Sequence, residues 1–368
     1  MKKGTPKEER YLNASTRQLV WWAYKKHVLA MVGLIAIVGL YLTAVFCEFL
    51  SPYDKDTRHF EHVYAPPSKI RVIDQEGRLR WPFIYGSVMD IDMETQAIRY
   101  VECLDIVHPI EFWVRGDAYY FWGLWRTNVH LFGVRTPGKI FIFGTDRMGR
   151  DMFSRCLYGS RISLSIGMLG VILSLGLGLF FGGISGYFGG FFDSVIQRLI
   201  EIIRCFPSIP LWMGLSAAMP PHWPGLKVYF VITLIISLIG WTDLARMVRG
   251  KLMALREEEF VLAARFLGAG HFRIIFRHLL PSFTSHIIVT VTLAIPSMIL
   301  AETALSFLGI GLRPPVTSLG VLLKEAQNVT TIALYPWLLI PVAFVIVTVL
   351  AFNFVGDGLR DAVDPYSR

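Results

Sequence analysis

Val28-Leu29-Ala30-Met31-Val32-Gly33-Leu34-Ile35-Ala36-Ile37-Val38-Gly39-Leu40-Tyr41-Leu42-Thr43-Ala44-Val45-Phe46 is an uncharged run of 19 residues. At the α-helical rise it makes about 28 Å, the hydrocarbon thickness of a bilayer. The run is too long for a signal-peptide core, and Thr43 to Cys47 offers no small-x-small cleavage pattern, so an uncleaved anchor is expected. Composition agrees: the 368 residues are 54% hydrophobic and only 17% charged, outside the range of a soluble domain.

Further apolar stretches follow at Ile162–Phe192, Cys205–Met219, Val228–Thr242, Leu279–Ala301 and Ile332–Val355, so six transmembrane helices are expected. Before the first lie Lys2, Lys3, Lys7, Arg10, Arg17, Lys25 and Lys26 against Glu8 and Glu9, which places the N-terminus in the cytoplasm. Six crossings return the C-terminus there. The segment between the fourth and fifth helices then also falls inside, and it carries Arg246, Arg249, Lys251, Arg256, Arg265, Arg273 and Arg277. Topology and anionic lipid account for the net charge of +8, and nucleic acid is excluded as a partner.

Ser51 to Arg161 is the outer loop. Alternation over Ile110–Arg115 and the apolar run Lys139–Phe143 predict strands, with Pro66-Pro67, Gly77, Gly86 and Gly116-Asp117 as turns. A small β-rich extracytoplasmic insert results. Simple folding, and a meeting with a solute receptor or a roof over the pathway, are equal readings of it. Cys103 and Cys156 could form a disulfide in an oxidising compartment, although unpaired small residues are the default.

On the cytoplasmic side, Glu257-Glu258-Glu259-Phe260-Val261-Leu262-Ala263-Ala264-Arg265-Phe266-Leu267-Gly268 leads through His271 to Leu280-Pro281. The pattern reads helix, glycine turn, helix: Ala263 and Ala264 permit close approach, and Gly268 supplies backbone freedom at the turn. It resembles the EAA loop of permeases in binding-protein-dependent ABC importers, with Gly268, Leu280 and Pro281 at the motif's intervals. Leu262 stands where the motif has glutamate.

The resemblance extends from Ile142 to Pro365 and is to the C-type permease subunit of dipeptide, oligopeptide and nickel importers. It is carried by Gly144-Thr145-Asp146-Arg147-Met148-Gly149-Arg150-Asp151, Tyr158-Gly159-Ser160-Arg161-Ile162-Ser163-Leu164, Gly186-Tyr187-Phe188-Gly189-Gly190, Ala301-Glu302-Thr303-Ala304-Leu305-Ser306-Phe307-Leu308-Gly309 and Ala351 to Asp361. Leu319 stands where that family usually has tryptophan, and the insert from Ala65 to Arg135 is longer than its usual outer loop.

The resemblance implies an all-α polytopic membrane protein with the type I ABC importer permease fold. It divides into a cytoplasmic tail 1–27, a first helix 28–50, an insert 51–161, a transmembrane domain 162–357 with its coupling loop 249–281, and a cytoplasmic tail 358–368. Implied partners are a second homologous permease, two cytoplasmic ATPases and an extracytoplasmic solute-binding protein, all in or at the cytoplasmic membrane. ATP and magnesium would be bound by the ATPases, and this chain would hold no cofactor. Peptides are the expected solute; oligosaccharides, opines and nickel chelates are alternatives.

An autonomous secondary transporter or a membrane enzyme is the competing class, but neither internal repeats nor a catalytic set is visible. Gly133 to Lys139 approximates a phosphate loop, yet Ile140 replaces its Ser/Thr. Coupling residues are Leu262, Ala263, Ala264, Arg265, Gly268, His271, Leu280 and Pro281. Candidates for the pathway or gate are Glu201, Arg204, Pro207, Asp243 and Glu302, ionisable or kinking groups near membrane depth. Glu201 and Arg204 are spaced to pair with one another, and Glu302 to face the outer water. Gly170, Ser174, Gly178, Gly182 and Gly186 form a small-residue face for helix packing, with a substrate path as the sharper alternative.

Overall fold

The computed structural model describes residues 14–91, 98–220 and 222–363. Lys2, Lys3, Lys7 and Arg10 of the basic tail, and residues 364–368 of the C-terminal tail, lie outside the described residues. The chain begins with α1 (Thr16–Lys26), opened by a capping box between Ser15 and Gln18, and α2 (Val28–Val45). One further turn, α3 (Cys47–Leu50), leads into the insert.

The insert holds β1 (Arg71–Ile73), β2 (Leu79–Ile91) and β3 (Ile98–Pro109) in one antiparallel sheet, and β4 (Glu111–Phe121) and β5 (Trp125–Gly133) in a second. The expected strand at Ile110–Arg115 is present as the start of β4. Two of the expected turns are not turns: Gly86 and Gly116 lie inside β2 and β4, each beside a register shift. Glycine there serves bulges, and at Gly116 a Cβ would stand 2.8 Å from His130. Nor is Lys139–Phe143 a strand; it is irregular chain with Ile140 and Phe141 buried beneath the sheets. Burial from all sides, not alternation, explains its apolar run.

Five described helices are long and apolar enough to cross a membrane, or six if one bent pair is a single span. They are α2, α4 (Met152–Phe188), α7 (Gly225–Leu255), α11 (Thr284–Phe307) and the helix ending as α14 (Ile340–Val363). The bent pair, α5 (Gly190–Cys205) and α6 (Ser208–Ala217), turns by 84° at Phe206-Pro207. The expected third span Cys205–Met219 therefore begins at a break, because Pro207 cannot continue the helix before it. Helix α4 starts at Met152, ten residues before the expected Ile162, capped by Asp151, whose Oδ2 accepts from the Ser154 amide at 2.8 Å. Between α7 and α11 come α8 (Glu259–Phe266), α9 (His271–Arg273), a π-helical turn over Ile274–Leu279 and α10 (Leu280–Ser282). Ahead of α14 lie α12 (Leu319–Glu325) and α13 (Val329–Leu334).

Helix α4 packs along α7, and the small-residue face is the reason. Gly170, Ser174, Gly178, Gly182 and Gly186 are all buried against α7 and α11. A Cβ at Gly182 would stand 2.6 Å from the Ala245 carbonyl oxygen and 2.9 Å from its Cα. The face thus packs helix backbones together, as the simpler reading expected. Gly182→Val is expected to abolish the folded monodisperse protein in size-exclusion chromatography, since overpacking against backbone costs about 1–3 kcal/mol or more. Gly39→Val, where no described residue beyond its own helical backbone and chain neighbours lies within 4 Å of the added Cβ, should change nothing.

Candidate functional site

The segment between α7 and α11 folds into a short hairpin. Helix α8 ends in a Schellman cap: Gly268 takes φ +76°, its amide donates to the Arg265 carbonyl at 2.9 Å, and the Ala269 amide donates to Ala264 at 3.0 Å. Val261 and Ala264 point inward with Ile274, Ile275 and Leu279, packing on Tyr187, Leu244, Val248 and Leu252 of α4 and α7. The Tyr187 hydroxyl meets His271 Nδ1 at 3.0 Å, and the Arg265 guanidinium lies 5.4 Å from the Tyr187 ring centre. The hairpin is therefore seated on the C-terminal ends of two long helices.

Its opposite face is open. Phe266 and Leu267 are 90% and 87% exposed, and Leu262, Ala263, Arg265, Gly268, Phe272 and Phe276 lie on the surface with them. A solvent-exposed apolar ridge on a structured, basic hairpin has the character of a protein-docking surface. Leu280 is buried beneath it, and Pro281 sits in α10, ahead of the membrane helix α11 rather than at its first turn. Of the residues expected to form a coupling loop, Ala264 and Leu280 thus anchor the hairpin, while the others face outward or, as His271, tie it to Tyr187.

The pathway candidates separate. Glu201 pairs with Arg198 at 2.9 Å, and Arg204 with Asp243 of α7, so the expected Glu201–Arg204 pair does not form. Asp243, one helix away, presents a carboxylate beside the α5–α6 break and outcompetes the residue three positions back. This ion pair and Pro207 occupy the break on an open face of the chain. Glu302 does not face outer water: it is fully buried, accepting from Ser163 and from Ser306, each at 2.8 Å. Ser163 Oγ also accepts from the Leu319 amide at 3.2 Å, so Glu302 joins α4, α11 and the start of α12. Its place is explained by polar satisfaction in the core.

A second cluster escaped the sequence reading. Arg155 in the first turns of α4 is fully buried and meets Asp146 at 2.5 Å and Glu325 of α12 at 2.6 Å. Arg150 bridges the same two carboxylates at 2.7 and 3.1 Å. Two cations and two anions share one desolvated site. The guanidinium groups of Arg155 and Arg150 hold the Glu325 carboxyl below its usual range despite its burial. Burial pushes the neighbouring Asp151 up to about 6. Thr145, in the same Gly144–Asp151 run, binds Ala65 and accepts the Trp337 indole through its carbonyl at 3.0 Å. Nearby, Arg161 meets Glu48 at 2.5 Å, joining α4 to α3.

Beside this cluster the His59 ring packs on Tyr53 and Phe141, at 4.7 and 5.3 Å between centres. Burial, then the nearby Lys139 charge, lower its pKa to about 4. A lowered histidine pKa contributes stability that is present above its unfolded value of about 6.5 and lost as pH falls toward 4. The full gap is worth about 3 kcal/mol, which solvent screening reduces to about 1–2. In thermal melts between pH 7 and 4.5, His59→Gln should lose less stability than the parent; parallel curves would refute the assignment.

The four cysteines are free, with Cys156 buried and Cys103 on β3, so the possible Cys103–Cys156 disulfide does not form. Gly133 to Lys139 leaves β5 for a loop and introduces no helix, so it lacks the geometry of a phosphate loop. Among the described residues no cluster of three or more His, Cys, Asp or Glu could hold a metal ion.

Residues 178–368 match the family described as binding-protein-dependent transport system inner membrane component. Residues 15–67 match the N-terminal TM domain of oligopeptide transport permease C. The chain is 39% identical over 235 residues to the oligopeptide transport system permease protein OppC of Bacillus subtilis, covering 64% of this chain and 74% of that one. It is 33% identical over 350 residues to the dipeptide transport system permease protein DppC of Lactococcus lactis subsp. cremoris, covering 95% and 90%. A solved inward-facing structure of the MetNI methionine ABC transporter aligns with TM-score 0.45 at 18% identity, over 58% of this chain and 98% of that one.

Proposed function

The chain belongs to the family of binding-protein-dependent transport system inner membrane components, and from that membership we propose that it is one half of the translocation pathway of an ATP-driven importer of peptides. The observation that carries the reading furthest is the hairpin around Gly268: rooted by Val261, Ala264 and Ile274 on α4 and α7, and open to a partner through Phe266, Leu267 and Phe272. Docked on an ATPase, such a hairpin passes nucleotide-driven motion to the two helices beneath it.

The partners in this reading are a second, homologous permease, two ATPases and a solute-binding protein. The chain itself is non-catalytic and holds no cofactor, ATP and magnesium being bound by the ATPases. Both termini and the hairpin lie in the cytoplasm and the β-rich insert outside, which the basic residues of the α7–α11 connection support. The Arg204–Asp243 pair at the α5–α6 break faces the pathway or the second permease, because a half-exposed ion pair on an apolar span is costly against lipid. Peptides are preferred over oligosaccharides, opines or nickel chelates because relatives along most of the chain carry oligopeptide and dipeptide transport names.

Purification of the tagged chain in mild detergent, with mass spectrometry of its companions, tests the assembly. A second permease and ABC ATPases should accompany it, and the complex reconstituted with its binding protein should take up labelled oligopeptide on ATP addition. Recovery of the chain alone under every gentle condition would favour an autonomous transporter.

A further inference from the structure

The β4–β5 hairpin ends in Phe121-Trp122-Gly123-Leu124-Trp125, and its position is fixed by two membrane helices independently. The Trp122 indole donates to the Val45 carbonyl, the last residue of α2, at 3.0 Å, and Phe121 stacks on Phe46 at 6.1 Å. On the other side the Arg161 guanidinium lies 4.1 Å from the Trp122 ring centre. Val45 lies one residue before the end of the uncharged run 28–46, and Arg161 is the last charge before the uncharged run 162–192. Both helices therefore pass from polar to apolar at the level of this ring.

The tip is nevertheless exposed. Trp122, Leu124 and Trp125 are 52%, 71% and 66% accessible, and Tyr120 stands out beside them. Its turn is internally satisfied, with the Gly123 amide donating to Tyr120 at 3.2 Å and the Leu124 amide to Phe121 at 3.0 Å. The Glu48 carboxylate is taken up by Arg161 and the Trp122 amide. A tip without unsatisfied turn amides, bearing indoles, a phenol and a leucine at the depth where two spans begin, matches the polar-apolar boundary of a bilayer. Arg126, paired across the hairpin with Tyr120, places a cation beside the tip, as a headgroup boundary would accept.

We infer that the β4–β5 tip is a membrane-interface anchor that seats its indole and leucine side chains among lipid headgroups and upper acyl chains. Through the anchor, the insert is fastened to the bilayer as well as to α2 and α4. The inference rests on these helices being membrane spans and is independent of the transported solute.

The test uses the full chain with its partner subunits in lipid nanodiscs, carrying Leu124→Cys labelled with bimane after Cys103→Ser and Cys205→Ser. Lipid bearing a doxyl group high on the acyl chain should quench the label strongly, and aqueous iodide weakly. Quenching by iodide without lipid would place the tip in water, and quenching by neither would place it under a partner protein; each overturns the anchor. Should the labelled chain fail to assemble, brominated lipid supplies a second measurement. It should quench less of the tryptophan emission in Trp125→Phe than in the parent, and equal quenching overturns the proposal.

Discussion

Gly268→Asp is expected to leave the protein folded and in the membrane while reducing ATP-driven uptake to background. Glycine holds φ +76° there, a region that side chains other than Asn and Asp enter at a cost of about 1–2 kcal/mol, so aspartate is among the least disruptive replacements. Apart from Gly268 itself and its two chain neighbours, no described residue has an atom within 4 Å of where its Cβ would stand. The new carboxylate instead projects beside the exposed Leu267 and Phe266, into whatever the hairpin docks against. Burying an unpaired charge at such a contact costs several kcal/mol. Measured together, membrane abundance should stay near parent, co-purifying ATPase should fall, and residual ATP hydrolysis should lose its dependence on peptide. Normal uptake would remove the coupling role from this turn.

The second large effect is expected from Glu325→Gln. It leaves Arg155, wholly buried, and Arg150 sharing the single carboxylate of Asp146. Breaking one side of a buried ionic cluster costs about 3–5 kcal/mol, because the remaining charge stays desolvated. The variant should melt far below the parent in detergent. Arg155→Met combined with Glu325→Met should recover much of the loss, since removing both charges removes the penalty. If the double variant is no more stable than Glu325→Gln alone, the cluster does not act as a balanced pair.

Much of this molecule was legible in its sequence because the membrane imposes long apolar runs. The run 28–46, the small-residue face of α4 and the Gly268 turn each follow from local physics and stand where expected. Signals that depend on distant partners were not legible. Arg155 and Arg161 made α4 appear to begin at Ile162, since their neutralising carboxylates, Glu325 and Glu48, lie far away in the chain. Arg204 found Asp243 rather than Glu201 for the same reason. At Gly86 and Gly116 the sequence alone does not separate bulge from turn, because a glycine at either has the same local signature. Pro207 announced a bend, but its extent depends on what α6 packs against.

The close backbone contact of α4 with α7 has a mechanical corollary. With Gly182 pressed on Ala245 and Gly186 on Arg249, sliding between the two helices is resisted at every turn. They behave as one stiff beam, roughly 55 Å long on the α4 side. The C-terminal tip of α4 touches the Gly268 hairpin through Tyr187 and His271, and its N-terminal tip is clamped by Arg155 to Asp146 and Glu325. A tilt of about 5° at one end would displace the other by roughly 5 Å over that length. A small movement imposed at the hairpin would thus reach the far side as a large one, with the joints at Gly189-Gly190 and Phe206-Pro207 left to absorb the rotation.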